Sequence, residues 1–172
     1  WAIAVGILIL SFVVVKILYW IFSNVIRRLT SKTKTNLDDV LIDKLEKPLT
    51  YLVLILGYWI SIHYLVFNEE VELVLENAAY FLLVIDVTAI LSRIVDALIS
   101  EVIMPISEKS DSSFDNQLIP VIQKGVRSII WILGIIIGLD NIGFDITAMI
   151  AGLGIGGLAL ALAAQDSVKN IF

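Results

Sequence analysis

The sequence has 172 residues, 59% of them hydrophobic and 17% charged, with a formal net charge of −5 and no cysteine. Soluble domains carry roughly 45–50% apolar and about 25% charged residues, so this composition points away from a water-soluble fold. The acidic balance offers no basic patch for nucleic acid, and the lack of cysteine excludes disulfides and thiolate metal sites.

The apolar excess falls in five runs, residues 1–26, 49–67, 77–99 (or on to Met104, before Pro105), 118–139 and 146–164. Here they are called segments A to E. An α-helix needs about 20 residues to cross ~30 Å of hydrocarbon. Helices are the sensible form of such runs, because in lipid every backbone N–H and C=O must be paired internally. Barrel strands would alternate apolar and polar residues over ~10 positions, and these segments do not. The fold class is therefore all-α membrane protein with five transmembrane helices. Segment A is too long and too uniformly apolar for a signal peptide. The chain opens on Trp1 and stops at Phe172 inside a helical pattern, so it reads as a piece of a longer protein.

The connections set the topology. Arg27, Arg28, Lys32, Lys34, Lys44 and Lys47 lie between or beside A and B, Lys109 lies between C and D, and Lys169 follows E. Lys124 and Arg127 lie early in D. The B–C connection holds only Glu69, Glu70, Glu72 and Glu76, and the D–E connection only Asp140 and Asp145. The positive-inside rule places the N-terminus outside and the C-terminus in the cytoplasm. That implies a multi-pass protein of the cell membrane.

The chain also repeats itself at an offset of 77 residues. Thr35-Asn36-Leu37-Asp38-Asp39 falls on Ser112-Ser113-Phe114-Asp115-Asn116, Lys47 on Lys124, Leu56 on Leu133, Gly57 on Gly134 and Lys16 on Arg93. A–B and C–D look like two copies of one helical hairpin. Each copy has a capping-box-like Ser/Thr-x-x-Asp before its second helix. Those helices should begin in the cytoplasm, before the bilayer.

No enzyme constellation is visible: there is no nucleophile elbow, P-loop or metal-ligand spacing, and no cofactor is expected. His63, the single histidine, reads as an interfacial side chain. Segment C carries Asp86, Arg93 and Asp96. A charge at mid-bilayer costs ~2.5–3.5 kcal/mol on insertion scales. Asp86 and Arg93 lie two turns apart on one face, and Arg93 and Asp96, three apart, can pair directly. A structural ion pair is the expected role, ahead of a proton or ion relay.

Segment E holds Ala151-Gly152-Leu153-Gly154-Ile155-Gly156-Gly157-Leu158-Ala159-Leu160-Ala161-Leu162-Ala163-Ala164. At about 100° per residue, small residues form two flanks, with Leu158 and Leu162 on the face between them. Small flanks let membrane helices approach closely. Two such flanks suit a helix held between like neighbours in a ring, while the alternative is packing of E against B and D. Met149, Leu153 and Leu160 form a second apolar face, so the wheel leaves the axial face open.

Phe114-Asp115-Asn116, Gly143-Phe144-Asp145-Ile146-Thr147 and the run from Gly152 through Gln165-Asp166-Ser167-Val168-Lys169-Asn170-Ile171-Phe172 resemble the MscS-like family, the small-conductance mechanosensitive channels. The resemblance covers residues 112–172. It implies a homoheptameric channel, opened by membrane tension as an osmotic safety valve, with ions and small solutes permeating and membrane lipids as partners. It implies leucine gate rings at Leu158 and Leu162 and a packing seam at Ala151, Gly154, Gly157, Ala159 and Ala161. It also implies a pore helix broken near Gln165-Asp166, with Gln165, Asp166 and Lys169 at the cytoplasmic exit. The family's kink glycine is replaced by Asp166, and Ile155 stands where the seam is usually small. Residues 1–67 then form an N-terminal hairpin of lipid-facing sensor helices. Residues 68–172 form the channel core, and the family's cytoplasmic domain would lie beyond this chain. A secondary transporter fragment built from duplicated hairpins is the alternative, and a non-channel membrane scaffold that oligomerises through E is a third reading.

Overall fold

A computed structural model describes residues 1–26, 37–105 and 113–169, without the side chains of 23, 25, 26, 37–39, 113–118 and 166–168. The described chain is helical throughout its elements, with no strand. Helix α1 spans Ala2–Trp20 and continues as a π-helical stretch, Ile21–Ile26. Helix α2 spans Leu37–Ile62, α3 Glu69–Leu98 with a π-helical stretch at Ile99–Ile103, α4 Ser113–Asn141 and α5 Thr147–Lys169. Helix α2 starts three residues and α4 six residues before their apolar windows, Val40–Ile62 and Ile119–Asn141. Thr35 and Ser112, the proposed caps, lie outside the described residues.

Four helices are long and apolar enough to cross a membrane: α1, α2, α4 and α5. Helix α3, which carries Asp86, Arg93 and Asp96, is packed between two of them, α2 and α4, while α1 packs on α2. The buried positions of α1 and most of those of α3 are small or hydroxyl residues. Ala4 and Ser11 are the buried positions of α1, and Ala79, Thr88, Ser92 and Ala97 are among those of α3. Ile3, Ile9, Leu10, Phe12, Ile129 and Leu133 face outward. This is the arrangement lipid favours, since tails solvate large apolar side chains and close backbone packing drives association.

The sequence repeat reappears in the packing. A Cβ on Gly57 would lie 2.6 Å from Ser11 Cβ, and one on Gly134 would lie 2.8 Å from Thr88 Cβ. The two partners are 77 apart, as are the two glycines. Ser11 Oγ donates to Ile7 O at 2.8 Å and Thr88 Oγ1 to Val84 O at 2.7 Å, again 77 apart. Both π-helical stretches fall at matching positions too. A local glycine–hydroxyl notch thus sets the closest approach in each hairpin.

Helix α5 differs from the expectation in one respect. It runs unbroken from Thr147 to Lys169, so the break expected near Gln165-Asp166 is absent. No proline interrupts it, and aspartate in the place of a glycine costs the helix less.

Candidate functional site

The corner that delivers α5 is built from three adjacent residues. Gly143 N donates to Asp140 O at 3.0 Å and Phe144 N to Leu139 O at 3.1 Å, which closes α4 in a Schellman motif. The motif needs a left-handed residue, and Gly143 has φ +89°. Asp145 Oδ1 then accepts from Thr147 N at 2.9 Å. The Thr147 hydroxyl and backbone N–H hold the Asp145 carboxyl below the usual carboxylate range. The resulting negative charge sits at the start of α5, where the helix dipole favours it.

Helix α5 stands clear of the rest of the chain. None of the span from Thr147 to Gln165 is buried. Leu158 and Leu162 are each 65% exposed and Leu160 73%. Ala151, Gly154, Gly157, Ala159, Ala161, Gln165 and Lys169 are exposed as well, and a Cβ at Gly154 or Gly157 would meet open space. The Asp166 side chain lies outside the described residues. The residues expected to form a gate and a seam therefore share one helix that is unburied from Thr147 to Gln165 among the described residues.

The charged residues of α3 are placed differently from the expected pair. Among the described residues, no ion pair joins Arg93 to Asp96 or Asp86. Asp96 reaches across to α4, with Arg127 Nη1 at 3.5 Å from Oδ2 and Gln123 Nε2 donating to Oδ1 at 3.1 Å. Arg93 Nη1 donates to Lys44 O of α2 at 2.8 Å. The reason lies in α2. The Lys44 carbonyl would accept from the N–H of residue 48, but Pro48 has none. Arg93 supplies the missing donor from the neighbouring helix. Pro48 itself is fully buried. Asp86 is 7% exposed and its Oδ2 is buried without a partner. Asp86 and Arg93 share one wall of a 410 Å³ apolar hollow, with Pro48, Tyr51, Leu54 and Ile55 opposite.

At the far end of α2, His63 Nε2 lies 3.3 Å from Glu76 Oε1, and its Nδ1 lies 3.1 Å from Trp59 O. The two side chains are 55% and 36% exposed. The vacant Lys44 carbonyl to which Arg93 donates was legible in the sequence as a proline four residues after Lys44. The Gly57–Ser11 notch was available only as two small residues on separate segments.

These features define a class of protein: a multi-pass, all-α membrane protein whose helix α5 is exposed from Thr147 to Gln165. Comparison with known proteins makes the family specific. Residues 124–165 match the mechanosensitive ion channel family, transmembrane helices 2/3. The chain is similar to the small-conductance mechanosensitive channel MscMJ of Methanocaldococcus jannaschii, at 32% identity over 90% of this chain and 44% of the relative. It is similar to the large-conductance mechanosensitive channel MscMJLR of the same organism, at 30% identity over 84% of this chain and 40% of the relative. It is also similar to the MscS family protein YhdY of Bacillus subtilis, at 28% identity over 99% of this chain and 46% of the relative. No solved structure matches it. The chain belongs to the MscS-like mechanosensitive channel family, and it spans less than half the length of these relatives. The transporter alternative finds no support among them.

Proposed function

We propose that the chain is the transmembrane part of a mechanosensitive channel subunit, which opens a largely non-selective pore for ions and small solutes when membrane tension rises. The observation that carries this reading is α5, whose span from Thr147 to Gln165 is exposed throughout and lies within the residues matched to the channel family. In a ring of identical subunits, seven by family resemblance, α5 lines the pore. Leu158 and Leu162 are four apart and stack about 6 Å apart along the axis. Each makes a ring of methyl groups, from which water withdraws because it cannot keep its hydrogen bonds there. Ala151, Gly154, Gly157, Ala159 and Ala161 form the seam between neighbouring α5 helices. Gln165, Asp166 and Lys169 line the cytoplasmic exit. Tension favours the state of larger in-plane area by stabilising it differentially. The α1–α2 hairpin and α3 face lipid and carry the tension inward. No catalysis and no cofactor are involved.

The test is patch recording of the complete protein. Leu158→Ser should open at lower tension or leak at rest, because a hydroxyl gives water a partner and widens the ring. Leu160→Ser, on another face, should disturb packing without wetting the pore. A lowered threshold in Leu160→Ser with an unchanged one in Leu158→Ser would place the wrong face on the axis. Absence of current from normally assembled protein, under any suction the membrane survives, would overturn the channel reading.

A further inference from the structure

We propose that His63 and Glu76 are the core of a binding site for one divalent metal ion of the zinc class, which ties α2 to α3 at the end of the bundle where α2 and α4 stop. The site uses only α2, α3 and the last residue of α4, so it is independent of α5 and of the pore reading.

The imidazole decides the chemistry. His63 Nδ1 lies 3.1 Å from the Trp59 carbonyl, one of the last four of α2. A carbonyl only accepts, so Nδ1 carries a proton. In the neutral ring Nε2 is then a bare lone pair. It faces Glu76 Oε1 at 3.3 Å, and an ionised carboxylate also only accepts. Two acceptors this close are held together by a cation, either a proton on Nε2 or a metal ion bound to both. The distance fits the metal. A charge-assisted N–H···O bond closes to about 2.7–2.9 Å. Ligand bonds of about 2.0–2.1 Å at the tetrahedral angle put two ligand atoms about 3.3–3.4 Å apart. The Nδ1–H···O=C bond is also what orients a metal-bound histidine and fixes the tautomer that leaves Nε2 free.

The surroundings suit a cation. His63 and Glu76 share a 260 Å³ hollow with Trp59, Asn77, Tyr80 and Asn141. The C-terminal ends of α2 at Ile62 and of α4 at Asn141 bring the negative ends of two helix dipoles there. The nearby charged side chains of the chain, Glu69, Glu70, Glu72 and Asp140, are all acidic, and the first charged side chain of α1 is Lys16. Among the described residues no third His, Cys, Asp or Glu joins the pair. The amide oxygens of Asn77 and Asn141, with water, are left to complete the four positions, so the ion is exchangeable. The pair is not part of the repeated packing: 77 residues on, His63 and Glu76 fall on Asp140 and Leu153. Spacing along the sequence hides the site because its ligands come from different helices.

Zinc is the probe, added to the complete protein in detergent with any purification tag removed, and read by equilibrium dialysis and by melting temperature. The parent should bind one more ion per chain than His63→Gln or Glu76→Gln, and zinc should raise its melting temperature more than theirs. Either change should weaken binding at this site by at least about tenfold. Glu70→Gln, on another face of α3, should bind as the parent does. Glu76→His separates a metal from a proton. Two imidazoles make a good zinc pair but no salt bridge, so this variant should keep the ion and the zinc-dependent rise. Equal zinc binding by the parent and both Gln variants would overturn the site. Binding by Glu76→His no better than by Glu76→Gln would reduce the pair to a proton-linked contact and overturn it as well.

Discussion

At the scale of single residues, the membrane's intolerance of unpaired polar groups explains the placement of Arg93. Pro48 leaves the Lys44 carbonyl without its helical donor, and Arg93 fills the vacancy from α3. Leaving a buried acceptor unsatisfied costs about 1–3 kcal/mol. Arg93→Leu should therefore lower the melting temperature of the detergent-solubilised protein. Pro48→Ala returns an N–H to α2, so Arg93→Leu should cost less on that background, with a coupling of about 1–2 kcal/mol. Additive losses would show that the two residues act independently. The sequence made the charges of segment C legible but not their partners. Spacing within one helix suggested Arg93 with Asp96, yet each turns to a different neighbouring helix. Asp96 is drawn to Arg127 and Gln123 because α4 brings both within reach, a tertiary fact that no helical wheel contains.

At the scale of elements, the two hairpins share one device, a glycine against a hydroxyl-bearing helix. Gly57→Ala drives a Cβ into Ser11, and overpacking of this kind costs about 1–3 kcal/mol. Ser11→Gly removes the obstructing Cβ, so the double variant should recover part of the lost thermal stability despite the added helical glycine. No recovery would mean that α1 meets α2 elsewhere. The repeat was legible as matched residues at a fixed offset, because duplication leaves its trace in sequence. The notch was not, because which small residue meets which depends on helix rotation. Helix α5 depends on its cap. Asp145 has a lowered pKa, so its contribution is present above the unfolded carboxyl pKa and is lost as pH falls through the folded one. Asp145→Ala should speed amide hydrogen exchange in the first turn of α5 at neutral pH. Under strongly acidic conditions, below the ordinary aspartate value of ~3.9, the difference from the parent should shrink. Equal exchange at neutral pH would remove the cap from the account.

At the scale of the whole molecule, the distribution of Lys and Arg predicts that the two ends of the chain lie on opposite sides of the membrane. Single cysteines at Glu72 and Asp140 should react with an impermeant reagent from outside, and one at Lys34 should not. Outside labelling at Lys34 would reverse the orientation. Helices α1, α2, α4 and α5 were legible from apolar length alone, and the family from residues 112–172. The continuous course of α5 was not, because the break was an expectation carried over from the family resemblance, from which this chain departs at Asp166. The isolation of α5 has one more consequence. In the proposed ring, α5 takes its packing energy from neighbouring copies, so its occupancy follows mass action. The fraction of chains with a seated α5 rises with their density in the membrane. Dilution with lipid should therefore loosen α5 first while leaving the four packed helices intact, so that the amount of protein made becomes a determinant of its structure.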